Sequence, residues 1–227
     1  MIIMTDITEL VLIGVVILLP LIAQAKIKSS YNKYAKVLSS KGITGEQVAR
    51  KILDRNGLRN VSVNRITGTL TDHYDPTKKK VNLSDSIFSE KSISSIAVAA
   101  HECGHAIQDK ESYSFLRFRS AMVPVVNFTS RFASIFIIIG FASSILNLVT
   151  IGIALLCIGL LFQLITLPVE FNASARAKVQ LQELGLVTTD ELDGTSKVLK
   201  SAAFTYVAGF LATALQILRL VLINRGR

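Results

Sequence analysis

The chain has 227 residues, half of them hydrophobic, and a formal net charge of +9. Its mean hydropathy of +0.48 and its long apolar runs exclude an ordinary soluble domain and imply an integral membrane protein. The positive charge does not mark a nucleic-acid binder. The basic residues cluster beside apolar runs, where they act as topology signals and contact anionic lipid, and no aromatic–basic repeat accompanies them. Two cysteines, Cys103 and Cys157, are too few for a disulfide framework and read as reduced packing residues.

The first apolar run, residues 7–25, has about the roughly 20 residues needed to span a bilayer, and it contains Pro20. Asp6 and Glu9 lie at its start; Lys26, Lys28, Lys33 and Lys36 follow it. The positive-inside rule therefore expects the N-terminus outside and residue 26 onward in the cytoplasm. The acidic start is also unlike the basic n-region of a secretory signal.

Residues 26–130 read as the soluble part. A helix over 29–39 is expected to continue off the membrane and to stop at Gly42. Thr44 with Gln47 forms a capping box for a second helix, apolar at Val48, Ile52 and Leu53 and ended by Gly57. Short strands are predicted at 61–64, 70–74 and 80–83, with a turn at Asp75-Pro76 and a helical turn from Ser84. The 80–83 strand is a candidate edge on which an extended substrate could add as a further strand.

Residues 92–110 carry the chemistry. Ser92 is a plausible N-cap, and the run behind it is Ala-rich and free of Pro, which predicts a helix. Within it lies His101-Glu102-Cys103-Gly104-His105, an HExxH motif. Positions i and i+4 share a helix face, so the two imidazoles can grip one metal ion, with Glu102 beside them as general base. Ala99, Ala100, Cys103, Gly104, Ala106 and Ile107 predict a helix buried everywhere except at the two His and the Glu.

Residues 132–167 are too long for one span. They predict a tight hairpin, 132–146 and 148–167, turning at Ser143, Ser144 and Asn147, with Arg131 at its cytoplasmic entrance. Residues 168–200 are polar, with a helix ending at Gly185 and another starting near Thr189. The last apolar run, 202–223, is about 33 Å long as a helix. Tyr206, Gly209, Thr213 and Gln216 form a small and polar stripe along it, expected to pack on other helices. Arg219, Arg225 and Arg227 sit at its end and oppose an outside C-terminus, unless Arg219 snorkels or the helix does not fully cross.

Catalytic zinc usually takes three protein ligands and a water. No third His follows His105, so a glutamate is sought, and Glu170 stands at the hairpin mouth. Spacing alone leaves it open between a ligand and a solvated carboxylate at a helix start.

The His101–Gln108 segment, Glu170-Phe171-Asn172-Ala173-Ser174, Leu70-Thr-Asp-His-Tyr-Asp-Pro76 and Thr205-Tyr206-Val207 resemble the YugP-like family of membrane zinc metallopeptidases, over nearly the whole chain. More distantly the layout resembles HtpX-type and CAAX-prenyl proteases, gluzincins in which a Glu from a later helix completes HExxH. The resemblance implies Glu170 as third ligand. Many gluzincins carry Asp four residues after that Glu to hold a ligand histidine; this chain has Ser174, a weaker orienting group.

The expected protein is therefore mainly α, an integral membrane protein with about four transmembrane helices and a small α+β zincin-like catalytic domain. Its segments are a helix at 1–25, a catalytic domain at 26–130, a hairpin at 131–167, a third-ligand connector at 168–200 and a helix at 201–227. The expected activity is a zinc endopeptidase in the cell membrane, with its site facing the cytoplasm and a polypeptide as substrate. Metal ligands are His101, His105 and Glu170; Glu102 is the base; His73, Tyr206 and Arg176 are candidate oxyanion donors. The competing class is a non-peptidase zinc-binding scaffold or accessory protein, which would need no base.

Overall fold

Seven helices and three strands make up the computed structural model, which describes residues 6–226. The fold is mainly helical, with four long apolar helices and a small mixed sheet. These helices are α1 (Asp6–Ala35), α5 (Ser114–Ala142), α6 (Leu146–Glu183) and α7 (Thr189–Gly226). Between α1 and α5 lie α2 (Gly45–Arg55), β1 (Ser62–Ile66), β2 (His73–Asp75), β3 (Lys80–Ser84), α3 (Asp85–Ser89) and α4 (Ile93–Lys110). The chain forms two units. One comprises the chain up to Gln24, Phe118–Leu167 and the chain from Phe204 on; the other comprises Ala25–Arg117 and Pro168–Ala203.

The first unit is built from apolar helix segments whose large side chains point outward. Leu10, Ile17, Leu18, Leu21, Phe128 and Ile138 are all more than half exposed, as lipid-facing residues would be. Its interior is correspondingly small, centred on Val149, Ile153 and Leu220. α5 and α6 approach closely because of glycine: a Cβ at Gly140 would lie 2.7 Å from the Val149 nitrogen. Residues 143–145 make the turn, where Ile145 N–H donates to Gly140 O at 2.9 Å.

Three polar pairs set the alignment of this unit. Arg219 near the end of α7 meets Glu9 near the start of α1 at 2.8 Å. Asn224 donates to Thr150 Oγ1, near the start of α6, at 3.1 Å. Midway, Gln163 donates to Thr213 Oγ1 at 3.0 Å. The start of α1, the α5–α6 turn and the end of α7 therefore share one end of the unit. Arg219 does not need to snorkel, because Glu9 neutralises it.

Several sequence expectations change here. α5 begins at Ser114, well ahead of residue 132, because Phe115, Phe118, Val125 and Phe128 extend its apolar surface past Arg117 and Arg131. α6 runs unbroken through Pro168, and α7 joins the polar and apolar segments into one helix. The buried positions of α7 include Ala203, Ala208, Ala212 and Leu220; Tyr206 is exposed, and a Cβ on Gly209 would meet open space. Cys103 is buried, but Cys157 is exposed on the apolar helix and is no packing residue within the chain.

In the second unit, α2, α4 and the sheet share one core containing Val48, Ile52, Leu53, Val81, Leu83, Ile96 and Cys103. Thr44 and Gln47 form the expected capping box on α2, and Ser92 caps α4 through the Ser95 N–H. α1 stops at Ala35 rather than near Ser39. The following backbone instead pairs with the approach to α4, Ser39 N–H donating to Lys91 O and Ile93 N–H to Val37 O. β2 is shorter than predicted, starting at His73, and Leu70 has a positive φ of 57°. The strand order is β1-β3-β2, with β3 parallel to β1 and antiparallel to β2. The 80–83 strand is thus central, hydrogen-bonded on both sides, and offers no free edge; the edges are β1 and β2. Tyr74 and Lys79 both reach Asp109 Oδ2, at 2.6 and 2.5 Å, which ties the sheet to the end of α4.

Candidate metal centre

α4 is buried along nearly its whole length, and this includes the polar residues expected to stand clear of the core. Glu102 and His105 are each 7% exposed, and the His101 side chain 13%. Polar groups can be held there only if they are paired. α6 supplies the partners. It lies against α4 at Gly104, where a Cβ would stand 2.5 Å from Ala173 O and 3.1 Å from Ala173 Cα. Only a glycine permits that approach, and it brings Glu170, 2% exposed, up to the two imidazoles.

His101 Nε2 lies 3.2 Å and His105 Nε2 3.7 Å from the same Glu170 oxygen, Oε2. The imidazoles stand edge to face, with centroids 4.8 Å apart. One donor atom from each of the three residues lies within 4.8 Å of the others. Ligands around a tetrahedral zinc, each at about 2.0–2.1 Å, are roughly 3.3 Å apart. Two imidazole nitrogens and one carboxylate oxygen at this spacing fit zinc in number, chemistry and reach, and leave one coordination position for water.

Burial pushes the Glu102 carboxyl above its ordinary range, while the two imidazoles pull it back. Burial works against protonation of His105, but the Glu170 carboxylate more than reverses this, so its pKa rises. Cys103 is held as a neutral thiol by complete burial, and its Sγ contacts Ala49 O.

Each histidine of the cluster has an outer partner. His101 Nδ1 meets Ser174 Oγ at 3.2 Å. His105 Nδ1 meets Gln108 Oε1 at 3.0 Å. Gln108 was not singled out in the sequence, although it is fully buried; its amide nitrogen donates to Val169 O at 2.8 Å and Asn172 Oδ1 at 3.0 Å. Arg176 donates from Nε to Asn172 Oδ1 at 2.7 Å and pairs with Glu111 at 2.6 Å. The early signals for Gln108 were its place at the end of the His101–Gln108 segment and its spacing, three residues beyond His105 on one helix.

Two further candidates, His73 and Tyr206, are not among the three residues of this cluster. His73 is exposed on β2; Nδ1 lies 2.9 Å from Thr71 O and Nε2 lies 3.0 Å from Asn82 Nδ2. Tyr206 is exposed on the portion of α7 in the first unit.

Comparisons with known proteins agree with this geometry. Residues 9–225 match the family described as "Putative neutral zinc metallopeptidase". The chain is 50% identical over 201 residues to the "Putative membrane protease YugP" of Bacillus subtilis (strain 168), covering 88% of this chain and 89% of that one. No solved structure matches. With nearly its whole length inside the family match and a His-His-Glu cluster suited to zinc, the chain belongs to this family of membrane zinc metallopeptidases.

Proposed function

We propose that the protein is a membrane-embedded endopeptidase that hydrolyses polypeptides at the His101–His105–Glu170 cluster. The observation that carries the reading is a buried three-donor site with a carboxylate, Glu102, beside two of the donors but outside the ligand set. A structural zinc site is normally closed by four protein ligands and needs no base. Among the described residues this cluster has three.

The division of labour follows from the side chains. His101, His105 and Glu170 would hold the metal. Zinc there would supply Lewis acidity toward a water and a peptide carbonyl. Glu102 takes the proton from the attacking water and returns it to the leaving amine. Burial suits it to the task, because a carboxylate with a raised pKa accepts a proton more readily. Ser174 and Gln108 orient the two imidazoles. Of the candidate oxyanion donors, Tyr206 belongs to the first unit. His73 would first have to release Thr71 or Asn82. Arg176 is committed to Asn172 and Glu111.

Cleavage of an unfolded polypeptide by the purified protein tests the activity. Stripping zinc with a chelator should abolish cleavage and adding zinc back should restore it. Cleavage that persists at full rate without metal would sink the reading.

The active site is proposed to face the cytoplasm. Lys26, Lys28, Lys33 and Lys36 follow the first apolar run, which favours an inside location for the residues that carry the site. In a background lacking the native cysteines, a probe at Ser40 should be protected from an impermeant thiol reagent on intact cells. A probe at Ser143, on the α5–α6 turn, should label. Labelling at Ser40 with protection at Ser143 would reverse the orientation.

A further inference from the structure

We propose that Gln108 is a positioning residue that selects the tautomer of His105 before any metal arrives; this rests on the cluster being the zinc site. The argument begins with Val169. Its backbone carbonyl is purely an acceptor, so the Gln108 atom 2.8 Å away must be the amide nitrogen. Asn172 Oδ1 gives the same answer. It accepts from Arg176 Nε, which has no acceptor capacity, so the Asn172 oxygen faces Arg176 and Gln108 together. Both amide protons of Gln108 are thereby committed to α6, and Oε1 is turned toward His105 Nδ1 at 3.0 Å. A flipped amide would set Oε1 against the Val169 carbonyl. Gln108 Oε1 can only accept, so it favours the neutral His105 that carries its proton on Nδ1, with Nε2 toward Glu170, over the form in which the carboxylate 3.7 Å away would draw the proton to Nε2.

Two consequences follow from the position of these partners. Val169 and Asn172 flank Glu170 on α6, so one amide fixes both the orientation of a ligand on α4 and the turn that carries the third ligand. The side chain is also fully buried, so water does not substitute readily for any of its bonds. The His101 side is held less firmly. Ser174 Oγ can donate or accept, so it leaves the tautomer of His101 open.

The test uses the full-length protein in detergent with ring-labelled histidine. Nitrogen-15 spectra of the metal-free protein are recorded at alkaline pH, where the rings are neutral. The chain has three histidines, and His73→Gln and His101→Gln variants assign their signals. Zinc affinity is measured in parallel by chelator competition. Metal-free wild type should hold His105 as the Nδ1–H form. Gln108→Met, close in volume but unable to hydrogen-bond, should lose that preference and bind zinc about 10- to 100-fold more weakly. An Nε2–H form in wild type would overturn the proposal, as would a Gln108→Met protein that keeps the wild-type tautomer and affinity. If Gln108→Met does not fold, the wild-type tautomer alone decides. A wild type that binds no zinc would instead defeat the metal-site reading, and the metal-free spectrum reads the tautomer separately.

Discussion

Gly104→Val should purify without zinc and without peptidase activity. The two helices that make the site touch at this residue, and what lies opposite is backbone rather than a side chain that can swing away. A Cβ at Gly104 would sit 2.5 Å from Ala173 O and 3.0 Å from its carbonyl carbon. α6 must retreat, and Glu170 and Ser174, on either side of Ala173, retreat with it. The Glu170 oxygen now lies 3.2 and 3.7 Å from the imidazole nitrogens, so a retreat of about 1 Å removes one ligand from reach. Gly104→Ala is the milder version. It should lose about 1–3 kcal/mol of stability through overpacking and about 10- to 100-fold in zinc affinity. Zinc content after gel filtration, with circular dichroism as a check on folding, measures both. A folded Gly104→Val protein with a full complement of zinc would mean that α4 and α6 do not meet there.

Much of the site could be read directly from local sequence, because its logic is local. HExxH is a one-turn spacing, and a capped, Ala-rich, Pro-free run is enough to put it on a helix. The Thr44–Gln47 box was legible for the same reason. Glu170 was not: 65 residues after His105, it was indistinguishable by spacing from a solvated carboxylate, and only the family resemblance singled it out. Gln108 escaped because glutamine near a helix end ordinarily faces solvent, and two of its three partners lie on α6. The strand order was also out of reach. Strand 80–83 shows its alternation in sequence, but whether it is an edge depends on β1 pairing across the β2 hairpin. The length of α5 was hidden because Arg131 read as the cytoplasmic entrance of the hairpin. Pro168 read as a boundary although α6 continues through it.

The charges of the membrane unit show a related limit. Arg219 taken alone argues against a fourth crossing, and a sequence-based count of arginines at that end cannot resolve it. The Glu9 partner takes Arg219 out of that count, because the pair carries no net charge. The alignment of α7 with α1 and α6 then supports a helix that runs the full length of the unit.

The second large effect is expected at Glu102. Glu102→Gln keeps the shape and burial of the side chain and removes its capacity to take a proton. Nothing in the ligand set changes, since the three donors are His101, His105 and Glu170. Loss of a general base costs about 10²- to 10⁴-fold in rate. The neutral amide also removes a buried carboxyl, so folding should not suffer. Zinc content and cleavage rate, measured together on the same preparations of wild type and Glu102→Gln, therefore test the central claim most directly. The account predicts about one zinc per chain in both proteins and cleavage only in wild type. Equal cleavage by the two proteins, or loss of zinc from Glu102→Gln, would contradict it.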